Sequence, residues 1–165
     1  MTQRALYLLS AIVLLSAIGF AMGHQKDNET QKLIGAARLL EEKPLDKEAK
    51  NVRRWAITWI IQTDKVSVKA CSLIVSGLDK KYKYESELFG QYTIGMAAFK
   101  LSNPDKAADE DAAQLAGVES AVITYQAILK TESKAQNTFM DGLVTKRSDG
   151  SLAEFVKANN CKDRQ

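Results

Sequence analysis

Residues 106–130 read KAADEDAAQLAGVESAVITYQAILK, and this stretch decides the fold class. Its large apolar side chains recur every three or four residues, at Leu115, Val118, Val122, Tyr125 and Leu129. This spacing is that of one face of an α-helix, because 3.6 residues complete a turn. It predicts a long helix that buries one face against other elements.

Stretches on both sides carry the same helical period, with capping residues in front of them. They predict helices over residues 28–42, from Asp46 through Ile60, Lys65–Ser76, Glu85–Leu101, Ser133–Lys146 and from Ser151 onward. The last two open on capping boxes, Ser133-x-x-Gln136 and Ser151-x-x-Glu154. Because no stretch alternates with a period of two, the sequence predicts an all-α domain over residues 24–165. We expect six or seven helices packed as antiparallel hairpins, in a bundle or a short repeat-like array.

Two spacings predict how these helices pack. Trp55 and Trp59 lie four residues apart and share a helix face, so their rings are expected to stack. Gly90 and Gly95 lower helix propensity, and they would let a neighbouring helix approach closely.

The first 23 residues have the three parts of a secretory signal peptide. A weakly positive start with Arg4 precedes an apolar run from Ala5 to Met22, and Ala21 and Gly23 are small residues suited to cleavage. The alternative is an uncleaved anchor, since about 18 apolar residues are near the minimum for spanning a bilayer. We therefore expect a periplasmic or secreted protein, or one anchored in the inner membrane through residues 1–23.

The charge balance argues against nucleic acid as a partner. The full chain has a formal net charge of +3, from 23 basic and 20 acidic residues. Proteins that grip nucleic acid usually carry a concentrated basic excess.

Export changes what the two cysteines, Cys71 and Cys161, are expected to do. Thiols outside the cytoplasm tend to oxidise, and one intramolecular pairing is available. The sequence therefore predicts a Cys71–Cys161 disulfide, against the alternative of two free thiols.

Residues 95–107, GMAAFKLSNPDKA, and residues 121–135, AVITYQAILKTESKA, resemble the helix ends of tetratricopeptide repeats. The first segment closes with small and aromatic residues followed by an Asn-Pro-Asp turn. The resemblance implies stacked helical hairpins and a protein-binding surface. The chain departs from the pattern, because its two turns are under 30 residues apart whereas the repeat is about 34 residues long.

From the sequence we assign no residue a catalytic, cofactor-binding or metal-binding role. His24 is the sole histidine and falls at the expected new N-terminus. The acidic group Asp105, Asp109, Glu110 and Asp111 does not have the spacing of a calcium loop, and we interpret it as the N-terminus of a helix.

Aromatic side chains provide the candidate ligand or partner surface. These residues are Trp55, Trp59, Tyr82, Tyr84, Tyr92 and Phe99. Lysines surround Tyr82 and Tyr84, and we interpret this connector as a solvated loop. We interpret Arg53 and Arg54 as solvated cations on a helix surface.

These observations favour an exported, non-catalytic interaction or structural protein with an unknown protein partner in the cell envelope. A carrier of a small apolar ligand is the first alternative, with Trp55, Trp59, Tyr92 and Phe99 lining a cavity. A carboxylate-dependent hydrolase is the second. An exposed groove would favour the interaction protein, and an enclosed apolar cavity would favour the carrier.

Overall fold

The computed structural model describes residues 28–71, 77–159 and Cys161. The chain divides into two units, Met1–Lys32 and Leu33–Gln165, and every contact given below lies within the second. The predicted signal segment, residues 1–23, and His24 lie outside the described residues. None of the described helices has the length and apolar character needed to cross a membrane.

The described residues form helices and no strands, so the predicted all-α class is confirmed. The helices are α1 (28–42), α2 (Ala49–Gln62), α3 (Glu85–Ser102), α4 (Glu110–Thr131), α5 (Thr138–Ser148) and α6 (Leu152–Asn159). A short 3-10 turn, Pro104–Lys106, joins α3 to α4.

Helix α3 is the centre of the fold, because it contributes to two apolar clusters. One face packs with α4, α5 and α6 through side chains such as Tyr92 and Met96. The opposite face supplies Ile94 and Ala97 to a cluster with α1 and α2. Because α3 is covered on both sides, its apolar residues are not confined to a single stripe.

The antiparallel hairpin of α3 and α4 depends on small residues at the crossing. A Cβ atom on Gly95 would lie 2.6 Å from the Cβ of Ser120 and 3.3 Å from the Cα of Gly117. The close approach expected at Gly95 is therefore present, and Gly117 is its counterpart on α4. Side chains any larger at these two positions would push the helices apart.

Helix α2 begins at Ala49, after Glu48 rather than after the predicted cap Asp46. Helices α4 and α5 also begin later than predicted, because aspartate and asparagine side chains cap them. Helix α4 begins at Glu110, and the side chain of Asp109 accepts a hydrogen bond from the Ala112 amide at 3.0 Å. The interpretation of the acidic group as a helix N-terminus holds for Asp109. Helix α5 begins at Thr138 with Asn137 as its cap, so the predicted start at Ser133 is wrong.

The helix predicted over Lys65–Ser76 is wrong for residues 65–71, which form neither helix nor strand. Buried polar side chains hold this segment by its backbone. Lys100 of α3 donates to the Ser67 carbonyl at 3.0 Å, and Gln114 of α4 donates to the Lys69 carbonyl at 2.6 Å. These two side-chain hydrogen bonds satisfy the Ser67 and Lys69 carbonyls, which would otherwise need the backbone hydrogen bonds of a helix or strand. Residues 72–76 lie outside the description.

The segment ends at the predicted disulfide, Cys71–Cys161, which the structure contains. Its two Cα atoms are 5.3 Å apart, and Cys71 is buried. The Cys71 amide donates to the hydroxyl of Tyr92 at 3.1 Å, and that hydroxyl donates to Gln114. Burial raises the pKa of Tyr92, so its hydroxyl stays a donor over the ordinary pH range.

A second buried polar network joins three helices. Gln91 of α3 donates to the Ala37 carbonyl of α1 at 3.0 Å and to the Ser120 hydroxyl of α4 at 2.7 Å. Ser120 in turn donates to Glu41 at 2.6 Å. Because these bonds need one relative placement of α1, α3 and α4, they favour a single packing arrangement.

Stability at high pH is expected to depend on Tyr125. Burial, and then the hydrogen bond it donates to Asp141 at 2.6 Å, raise the pKa of Tyr125 to about 12, from an ordinary value of 10.0. Because its pKa is higher in the folded state, the folded protein favours the protonated phenol. The stabilisation that Tyr125 provides is therefore complete below pH 10 and is lost between about pH 10 and pH 12.

We therefore expect Tyr125→Phe to be less stable near neutral pH but to lose less stability than the native chain between about pH 10 and pH 12. Urea unfolding across that range measures the difference. Tyr82, whose pKa is also raised to about 12, supplies the decline that remains in the variant. Parallel declines in both proteins would contradict this assignment.

Candidate functional site: the groove between α2 and α3

An open groove lies between one side of α2 and one side of α3. On α2 the lining residues fall at positions 50, 53, 54, 57, 60 and 61, which is the spacing of a single helix face. The irregular segment from Val66 to Ala70 closes one end. The groove has two adjoining parts, and Ile57 and Phe89 line both of them.

The first part, here called the cationic groove, has a volume of about 600 Å³. It is lined by Lys50, Arg53, Arg54, Ile57, Glu85, Ser86, Glu87, Phe89 and Gly90. Three cations and two carboxylates leave one net positive charge at this end.

Arg53 is half-buried, so its interpretation as a solvated cation is wrong. Its side chain lies over Gly90, where a Cβ atom would come within 2.9 Å of the arginine Cδ. Within the described part of the chain, its hydrogen-bond acceptor is the Pro44 carbonyl, at 3.2 Å. Its Nε is buried and has no acceptor among the residues that the structure describes.

Burial lowers the pKa of Arg53, and the charge of Glu87 partly opposes this. The guanidinium remains protonated, because arginine titrates far above physiological pH. Glu87 accepts a hydrogen bond from Ser86 at 3.0 Å. Arg53 is therefore a partly dehydrated cation with donor capacity that the described residues do not use.

The second part, here called the apolar groove, has a volume of about 460 Å³. Its lining residues are mostly aliphatic or aromatic: Ile57, Ile60, Ile61, Thr63, Val66, Ser67, Val68, Ala70, Phe89 and Thr93. The Ile61 side chain at its rim is 77% exposed. A large aliphatic side chain exposed beside an apolar groove is a common feature of binding surfaces.

The six aromatic residues of the predicted surface do not line either part of this groove. Trp55 and Trp59 stack as expected, with ring centroids 6.5 Å apart. Tyr82 and Tyr84 contact each other edge to face at 5.8 Å. Tyr92 is fully buried.

Three of these aromatic residues take part in hydrogen bonds that support the fold. The Tyr82 hydroxyl donates to the Ala135 carbonyl at 2.6 Å, which ties the connector before α3 to the segment before α5. Tyr92 holds the Cys71 backbone, as described above. Phe99 is half-buried, and its carbonyl accepts from the Asn103 side chain at 2.8 Å.

The lysine-rich connector contacts its own aromatics. The ammonium of Lys83 lies 4.8 Å from the centroid of the Tyr84 ring. A hydrogen bond with Tyr84 is the main cause that raises the pKa of Lys83. Lys80 and Lys81 are exposed, as expected for a solvated loop.

No group of three or more metal-ligating side chains occurs among the described residues. Glu85 and Glu87 line the cationic groove.

Sequence reasoning missed Arg53 as a half-buried cation and Gln91, Lys100 and Gln114 as buried polar side chains. A signal for Gln114 was available, because it lies three and four residues before Gly117 and Val118 and so shares their buried face. No comparable signal exists for Arg53, since its burial depends on Gly90 of another helix.

No protein-family model, curated protein or solved structure matches this chain.

Proposed function

We propose that this chain is an exported, non-catalytic binding protein whose ligand or partner occupies the groove between α2 and α3. The observation that carries the proposal is that the cationic and apolar grooves adjoin, with Ile57 and Phe89 lining both. The signal-like residues 1–23 support export, and a disulfide is compatible with an oxidising compartment.

The shape of the groove favours binding over catalysis. It is open along one side, and its charged groups lie at one end. Enzyme sites bring an activated nucleophile, acid or base to a defined centre. The groove offers exposed apolar surface instead, with Ile61 at its rim. Stacked helical hairpins with a concave binding face are also what the tetratricopeptide resemblance implies.

Site-specific photo-crosslinking tests the proposal in the cells that make the protein. Ile61 is replaced by p-benzoylphenylalanine, and the cells are irradiated. We expect one discrete adduct, lipid or protein, which mass spectrometry identifies, because Ile61 lies at the rim of the occupied groove.

The matched control carries the same photo-reactive residue at Lys134, which is exposed and lies outside the groove. We expect no matching adduct there. Failure to form an adduct at Ile61, or the same adducts at both positions, would show that the groove is not the binding surface.

A further inference from the structure

We propose that the groove binds a single-chain anionic amphiphile, with its acidic head at Arg53 and its alkyl chain along Ile57 and Phe89 into the apolar groove. This inference rests on the proposed function, because it names the ligand class for that same groove. A fatty acid and a single-chain phosphate ester share the required chemistry.

The first argument is the unmet donor capacity of Arg53. A guanidinium carries five N–H donors. Among the described residues it donates to one carbonyl, through Nη2, and its Nε is buried without an acceptor. The remaining Nη donors, where Arg53 lines the groove, are those that a ligand there would meet. A carboxylate or phosphate is the acceptor that a guanidinium fork fits best, since it takes two parallel hydrogen bonds.

The second argument is the net positive charge at this end of the groove. Lys50 and Arg54 are exposed there beside Arg53. The charge of Glu87 acts on Arg53, but among the described residues the hydrogen bond that Arg53 donates goes to the Pro44 carbonyl, and Glu87 accepts from Ser86. An acidic head would therefore meet a net positive charge where water is partly excluded, which strengthens the attraction.

The third argument is the path that leads away from this cation. Ile57 and Phe89 line both parts of the groove, so apolar surface begins beside the guanidinium and continues to Val66. Gly90 forms the floor without a side chain. A ligand that is charged at one end and apolar along its length matches this order of surfaces, and each part has a volume typical of small-molecule sites.

Isothermal titration calorimetry tests the inference on the protein as the cells process it, with its disulfide intact and any co-purified lipid extracted. The probes are dodecanoate, dodecyl phosphate and dodecyltrimethylammonium, each below its micelle concentration. We expect the two anions to bind and the cation of equal chain length to bind about tenfold more weakly or not at all, because one charge-assisted contact is lost. The two anionic arms distinguish a carboxylate ligand from a phosphate ester.

Variants locate the site. Arg53→Gln is expected to weaken dodecanoate binding about tenfold, whereas Arg53→Lys, which keeps the charge, weakens it less. Arg147→Gln is the matched control, because Arg147 is exposed on α5 outside the groove. Ile61→Asp tests the apolar end and is expected to weaken dodecanoate binding. Its side chain is largely in solvent, so the fold should survive the change.

Equal affinity for dodecanoate and dodecyltrimethylammonium, or equal dodecanoate affinity in Arg53→Gln and the native chain, would overturn the inference. A protein adduct at position 61 together with no amphiphile binding would overturn the ligand class and leave the proposed function standing. Absence of both an adduct and amphiphile binding would overturn both.

Discussion

Replacing Gly117 by alanine is expected to lower the free energy of unfolding by about 1–3 kcal/mol. The added Cβ would lie 2.7 Å from the backbone oxygen of Tyr92 and 2.6 Å from the Cγ of Met96. Because one of these atoms is backbone, helices α3 and α4 would have to separate. The strain outweighs the gain in helix propensity, which is about 1 kcal/mol for this substitution. Urea unfolding monitored by circular dichroism gives the difference.

Gly142→Ala is the matched control for this substitution. Gly142 lies within α5, and a Cβ there would have nothing within 4 Å. The same chemical change is therefore expected to stabilise the protein slightly, by about 0.5–1 kcal/mol. Effects of the same sign at Gly117 and Gly142 would show that the α3–α4 crossing does not require glycine.

Loss of the Cys71–Cys161 bond is expected to cause the largest destabilisation of the substitutions considered. The bond closes a loop with a sequence separation of 90 residues. In the chain-entropy model such a loop contributes up to about 4.5 kcal/mol, because the cross-link restricts the unfolded chain. Cys161→Ala removes the bond and leaves the buried Cys71 side chain in place, so it separates the cross-link from core packing.

Reductant provides the control for the disulfide. It should destabilise the native chain to the level of Cys161→Ala and leave that variant unchanged. Mass spectrometry of the unreduced native protein should show two fewer hydrogens than the dithiol form. Equal stability of the oxidised native chain and Cys161→Ala would contradict an important role for the bond.

The site was less predictable from sequence than the fold. Of the aromatic residues singled out as a surface, Trp59, Tyr84 and Tyr92 are core residues. The groove instead uses Arg53, Ile57 and Phe89, which no local pattern distinguishes from ordinary helix-surface residues. Their proximity arises from the packing of α2 on α3, and residue spacing within one helix carries no information about the facing helix.

Sequence alone determined the all-helical class, the pairing of Cys71 with Cys161 and the close approach at Gly95, since helical period, cysteine number and side-chain size are local properties. Tertiary structure decided that residues 65–71 form no helix and that Arg53 is half-buried. Both depend on contacts between segments distant in sequence. Lys100 and Gln114 donate to the Ser67 and Lys69 carbonyls, which outweighs the helical preference of that segment. Gly90, on another helix, leaves the space that the Arg53 side chain occupies.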